Sequence, residues 1–227
     1  MEKRKRIAIY GGTFDPVHLG HLAIAKRVSE VFAIDKFLFV PARVAPHKLE
    51  REVSSGFHRY AMLALATQDI PELCISTYEV EGAGTHYTVD TLAHFRADLG
   101  DAVDLFFVMG ADSWSEITTW REWERLTTLA NLIVVTRPGH DFAETDPRVF
   151  SAPVIDVRGQ QEETTSSASG NISMTDAVML DVSATSVRQA ARENDNRKLD
   201  KLVPPEVADY IRKYGLFRNT NEAKLNC

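Results

Sequence analysis

The apolar run at residues 7–10, Ile-Ala-Ile-Tyr, leads directly into Gly-Gly-Thr-Phe-Asp-Pro-Val-His-Leu-Gly-His at residues 11–21. This junction constrains the fold more than any other stretch of the chain. A buried strand ends, glycines turn the chain tightly and two histidines open a helix. The N–H groups of a helix's first turn have no partners within the helix, and the dipole favours an anion there, so such a turn suits phosphate. Gly11, Gly12 and Gly20 remove side chains where a ligand must come close. His18 and His21, three residues apart, share one helix face, and an imidazole pair at a phosphate-binding helix start points to chemistry on a phosphoryl group. The same pair could be half of a zinc site. Catalytic zinc takes about three protein ligands, and no companion Cys, His or Glu cluster with metal spacing is present, so no metal site is expected.

Apolar, strand-like runs at 7–10, 36–41, 73–79, 104–110 and 132–135 alternate with helix-like stretches at 22–32, 57–66, 88–99 and 122–129. Strands that are apolar throughout and separated by helices belong to a parallel sheet covered on both faces. The expected class is therefore α/β, a doubly wound parallel sheet with a C-terminal helical part at 183–217. In such sheets ligands sit beyond the carboxyl ends of strands, at a switch in strand order, and residues 11–21 occupy such an end. Near the C-terminus, Ser183 offers a helix cap and Pro204-Pro205 starts a further helix. Val207, Tyr210, Ile211 and Tyr214 would share that helix's buried face, on the sheet, and Gly215 would stop it. Residues 160–171 contain no large apolar side chain and are expected to form a flexible surface loop within one domain spanning 1–227.

Composition narrows the function classes. The 227 residues are 44% hydrophobic, which suits a packed core, and the net charge of −6 argues against a nucleic-acid backbone as partner. The basic residues 3–6 precede only about four apolar residues, too few for a signal-peptide core, and no run approaches the roughly 18 apolar residues of a membrane span. Cys74 and Cys227 make no disulfide framework. These features fit a cytoplasmic protein with neither membrane nor nucleic acid as partner.

The segment Gly12-Thr13-Phe14-Asp15-Pro16-Val17-His18-Leu19-Gly20-His21 resembles the signature of the nucleotidylyltransferase superfamily, Rossmann-like enzymes that join a nucleoside monophosphate from a triphosphate to an acceptor phosphate. Ser183-Ala184-Thr185-Ser186-Val187-Arg188 resembles the second signature, Ile-Ser-Ser-Thr-x-x-Arg, with Ala184 in place of a serine. Three further elements are similar to those of adenylyltransferases acting on nicotinate nucleotide. Ala45-Pro46-His47-Lys48 matches Pro-Pro-His-Lys except at Ala45. His86-Tyr87-Thr88-Val89-Asp90-Thr91-Leu92 matches Ser-Tyr-Thr-x-x-Thr-Leu except at His86. Gly110-Ala111-Asp112 and Trp120 match a Gly-x-Asp element and a downstream Trp. The resemblance covers residues 6–217 apart from 156–172.

This resemblance implies transfer of AMP from ATP to nicotinate mononucleotide, giving deamido-NAD and pyrophosphate in NAD biosynthesis, with Mg²⁺ arriving on ATP. It implies catalytic roles for His18, His21, Lys48 and Arg188, as donors and counter-charges rather than nucleophiles. ATP would meet Gly11, Gly12, Thr13, Phe14, Gly110, Asp112, Ser183 and Thr185 as well as the histidines and Arg188. The acceptor would meet Lys48, Tyr87, Thr88, Trp120 and Arg137. In this picture the amides at Tyr87-Thr88 receive the nicotinate carboxylate, Trp120 stacks on a flat heterocycle, and Arg137 approaches the acceptor's phosphate. Plainer readings stand beside these: an exposed loop lysine for Lys48, a core tryptophan for Trp120, an ordinary exposed helix arginine for Arg188. Alternative functions are a nicotinamide-mononucleotide or pantetheine-phosphate adenylyltransferase, or a regulator that senses nucleotide without turnover.

Overall fold

Strand β1 (Lys5–Gly12) lies inside a seven-stranded sheet of order β3-β2-β1-β4-β5-β7-β6, in which every paired neighbour runs parallel. The structure is a computed structural model describing residues 4–43, 53–136, 152–159, 170–176, 180 and 182–218. The chain first builds one half of the sheet, through α1 (Leu19–Val31), β2 (Lys36–Pro41), α2 (Gly56–Thr67) and β3 (Leu73–Ile75). After a short helix α3 (Tyr78–Glu81) and helix α4 (Thr88–Leu99), it returns to the other side of β1 as β4 (Val103–Gly110). The strand order therefore reverses between β1 and β4. The glycines ending those two strands, Gly12 and Gly110, flank the crevice that this reversal opens.

Continuous apolar strands are explained by two cores, one on each face. In β4, Phe106 and Val108 join Ala8, Tyr10, Phe37 and Phe39 under α1, α2 and the C-terminal helices. Leu105, Phe107 and Met109 alternate to the opposite face and pack with Ile7, Ile9, Leu132 and Val134. There they meet Val89 and Leu92 of α4, Trp114 of α5 (Ala111–Ser115) and Leu126 of α6 (Leu126–Leu129). The expected doubly wound parallel sheet with helices on both faces and a C-terminal helical part is what the chain forms, with α7 (Ala184–Arg192), α8 (Asn196–Leu202) and α9 (Pro205–Tyr214) closing it.

Several local expectations are corrected. The strand expected over 73–79 stops at Ile75, and Tyr78–Glu81 is a helical turn. The helix expected over 122–129 is a 3-10 turn, Trp123–Arg125, followed by the four residues of α6. Tyr214 is 42% exposed, and Ala208 takes the buried place beside Val207 and Ile211 on α9, which packs on α2 and α8. Two strands were not foreseen, β6 (Val154–Asp156) and β7 (Ile172–Asp176). β7 sits between β5 (Asn131–Thr136) and β6, so its Ser173 and Thr175 are buried and its polar–apolar alternation conceals a central strand. Residues 160–169, most of the expected loop, lie outside the described residues. Among the described residues no helix is long and apolar enough to cross a membrane, and Cys74 is a free thiol.

Candidate active site

At the end of β1 the chain turns over an aromatic floor. Phe14 adopts a left-handed backbone, φ 48°, that bulky residues rarely take. Its buried ring meets Tyr10, Phe39 and His21 edge-on at centroid distances of 5.5, 5.4 and 5.0 Å. That ring explains Gly12: a Cβ there would stand 2.9 Å from it. His18 is the N-cap of α1 and is buried, with its ring stacked on that of His21 at 3.7 Å between centroids. The ring also lies against Gly20, where a Cβ would meet it at 3.1 Å, so Gly20 makes room for an imidazole. The backbone N–H of His18 donates to Nδ1 of His21 (3.2 Å). With Nδ1 accepting, a neutral His21 carries its proton on Nε2 and so holds a donor ready.

Two buried arginines brace this turn from behind. Arg188, on α7, donates to the Asp15 carbonyl (2.7 Å) and to Thr185 Oγ1 (3.0 Å) and is only 8% exposed, which sets aside the surface-arginine reading. Arg59, on α2, is almost wholly buried and spends its guanidinium on three carbonyls: Thr13 (2.8 Å), Ser54 (3.0 Å) and Arg43 (3.2 Å). Burial lowers its pKa, while the charges of Asp15 and Glu79 oppose that shift. Glu79 is buried nearby and accepts from Thr91 Oγ1 (2.7 Å). Burial raises its pKa, with the Thr91 hydrogen bond and the Arg59 charge acting the other way.

Two cavities open over the turn, of about 280 and 240 Å³, and together they reach the size of a small-molecule site. Gly11, Gly12, Thr13, Phe107, Ser113 and Trp120 wall both. The first is completed by Phe14, Asp15 and His21 of the turn, by Gly110 and Asp112 beyond β4, and by Ala184 and Arg188 of α7. The second is completed by Glu79, by His86, Tyr87 and Thr88 at the start of α4, and by Thr119 and Arg121. Trp120 packs edge-on to Phe107 at 6.4 Å and is partly exposed, so it is a cavity wall as well as a core residue.

Most of the residues expected to bind ATP or the acceptor thus meet around one crevice. His18, buried behind His21, lines neither cavity, and neither do Ser183 and Thr185. The Ser183 hydroxyl caps α7 by accepting from the Ser186 N–H (3.1 Å), the Ser186 hydroxyl accepts reciprocally from the Ser183 N–H (3.1 Å), and Thr185 serves Arg188. Lys48 and Arg137 lie outside the described residues.

Residues 9–190 match the cytidylyltransferase-like family. A protein from Chromobacterium violaceum, described as "Probable nicotinate-nucleotide adenylyltransferase", is 38% identical over 213 residues, covering 94% of this chain and 99% of the relative. One of the same description from Thermoanaerobacter sp. is 36% identical over 223 residues, covering 98% of this chain and 99% of its own length. The chain belongs to the cytidylyltransferase-like family, with the nicotinate-nucleotide adenylyltransferases. Among solved structures, Plasmodium falciparum nicotinic acid mononucleotide adenylyltransferase complexed with NaAD matches this family member's fold. The TM-score is 0.69 at 21% identity, covering 94% of this chain and 97% of that one.

Arg59, Glu79 and Arg121 of this adenylyltransferase-family chain belong to none of the motifs legible in its sequence. Arg59 left a trace: it falls on the α2 face that carries Met62 and Leu63, and a charge within an apolar stripe signals a buried partner. Glu79 and Arg121 left none, because each faces the crevice only through packing of separate elements.

Proposed function

We propose that this chain transfers the adenylyl group of ATP to nicotinate mononucleotide, releasing pyrophosphate and deamido-NAD. The observation that carries this reading is the pair of cavities sharing the Gly11-Gly12-Thr13 turn at the switch in strand order. Two substrates seated side by side there would bring their phosphates together over one helix N-terminus. The similarity to probable nicotinate-nucleotide adenylyltransferases supports the choice of an adenylyl donor and a nicotinate nucleotide as the two.

In this reading a 5′-phosphate oxygen of the acceptor attacks the α-phosphorus of ATP in line. A P–O bond forms there as the bond to the oxygen bridging the α- and β-phosphates breaks, and pyrophosphate leaves with that electron pair. No protein atom becomes bonded, so the chain contributes position and charge. His21 Nε2–H donates to a phosphate oxygen, and His18 holds its ring from behind. Arg188 and the start of α7, with Ser183 and Thr185 there, meet the β- and γ-phosphates. Gly110 and Asp112 border the nucleoside end, and the Trp120 indole stacks on a heterocycle. Tyr87 and Thr88 present the start of α4 to the acceptor's carboxylate. Lys48 and Arg137 would act on phosphates as the resemblance implies.

Magnesium would arrive with ATP. Asp15 and Asp112 are the carboxylates at the first cavity, and among the described residues no three His, Cys, Asp or Glu side chains converge. That donor set fits an ion held mainly by phosphate oxygens and water, where its chemistry is to neutralise and orient the triphosphate.

The test is pyrophosphate release with Mg-ATP and, separately, nicotinate mononucleotide, nicotinamide mononucleotide and phosphopantetheine. Preference for the first is the expected result. Preference for either of the others overturns the acceptor assignment. No release with any of them favours a nucleotide sensor.

A further inference from the structure

The acid and amide forms of the acceptor differ in the charge of one ring substituent, so a charge at the second cavity acts on one form and spares the other. Arg121 brings such a charge. Its guanidinium lies 4.9 Å from the Tyr87 ring centroid, a cation–π distance, and lines the cavity beside Trp120 and Thr88. Its ionic neighbours are loose: Nη1 is 3.7 Å from Asp90 Oδ2, and Nε is 3.6 Å from Glu122 Oε1. Glu122 is more tightly engaged by Arg125 at 2.5 Å. Among the described residues Arg121 makes no side-chain hydrogen bond, so its planar fork of donors remains open to a ligand.

Asp90 supplies the opposing charge. It is the third residue of α4, in the first turn of the helix whose start borders the cavity, where its charge opposes any second anion. Arg121 is the cation facing it. Resting on the reading that this cavity takes the pyridine ring, we propose that Arg121 determines acceptor specificity. Seated on Tyr87 and offsetting Asp90, it favours a ring substituent that is anionic over a neutral amide. With its side chain 53% exposed, Arg121 acts through a screened charge. Its effect is expected to be about five- to ten-fold at low salt and to fade at high salt.

The test measures kcat and KM with nicotinate and nicotinamide mononucleotides at about 20 mM and about 500 mM salt. The proteins compared are the wild type, Arg121→Gln, Arg121→Lys, Asp90→Asn and the double variant Arg121→Gln/Asp90→Asn. Arg121→Gln is expected to raise KM for the acid about five- to ten-fold at low salt and to leave the amide within about two-fold. Arg121→Lys keeps most of the preference. Asp90→Asn shifts preference further towards the acid, and the double variant returns towards wild type. Equal losses with both acceptors would make Arg121 structural and overturn the proposal, as would an unchanged KM for the acid. Should Arg121→Gln fail to fold, an Asp90→Asn protein with unaltered preference overturns it alone. A wild type that turns over neither acceptor defeats the functional reading beneath it, and is seen before any variant is made.

Discussion

The two sides of the crevice are built differently. Around the glycine turn, side chains are committed to the backbone: buried Arg188 to the Asp15 carbonyl, buried Arg59 to the carbonyls of Thr13, Ser54 and Arg43, and half-buried His21 to the N–H of His18. At the mouth of the second cavity, Tyr87 and Arg121 are exposed and meet at 4.9 Å, and the two ion pairs of Arg121 exceed 3.5 Å. The first side has its geometry fixed before any ligand arrives, which is what stabilising charge on a transferring group requires. The second is held by screened, adjustable contacts, which under the proposed function discriminate between acceptors without disturbing the braced turn.

Variants on each side test that division. The largest effect is expected on the braced side. His21→Ala should lower kcat by about a hundred- to a thousand-fold, by analogy with loss of an oxyanion-hole donor, and His18→Ala, which removes the ring stacked on His21, should lower it by less. Circular dichroism should show both proteins folded. A folded variant with near-normal turnover would break the comparison, since the stacked pair would then be packing alone. A smaller effect tests the brace itself. Ser183→Ala removes the cap of α7 and should cost about 1 kcal/mol in urea unfolding. If Ser183 also meets phosphate, KM for ATP rises with it. An unchanged unfolding midpoint would show that Arg188 holds the helix start without the cap.

The smallest expected effect is one of slope. Burial raises the Glu79 pKa, so the folded protein holds that proton more tightly than the unfolded chain does. The resulting stability is complete below the ordinary carboxylate range and is lost as pH climbs through that range to the raised value. Glu79→Gln keeps an acceptor for Thr91 and removes the titration. Unfolding curves of the two proteins should therefore diverge as pH rises, with the wild type losing relative stability. Parallel curves would mean that the Thr91 hydrogen bond and the Arg59 charge together offset burial.

Strands β1, β2, β4 and β5, the helices α1, α2, α4 and α9, and the glycine turn were legible because each rests on local physics: uninterrupted apolar runs, 3.6-residue spacing, proline and glycine at helix ends. Strand β7 was not, because Ile172-Ser173-Met174-Thr175 alternates like a half-exposed strand and is buried only through its neighbours β5 and β6. At the site, the glycines, histidines, Trp120 and Arg188 stood out by motif. Whether Arg188 was exposed or buried depended on Asp15, 173 residues earlier in the chain.

By itself, then, the sequence determined a parallel α/β sheet and a glycine turn into a helix start at the end of β1, since strand periodicity and helix-start chemistry are properties of adjacent residues. Tertiary structure alone decided that Arg59 would brace that turn, that Glu79 would be buried beside the second cavity and that Arg121 would lie over Tyr87 facing Asp90. Those are distances between residues from separate elements. Burial and charge act through such distances, and a linear pattern does not encode them.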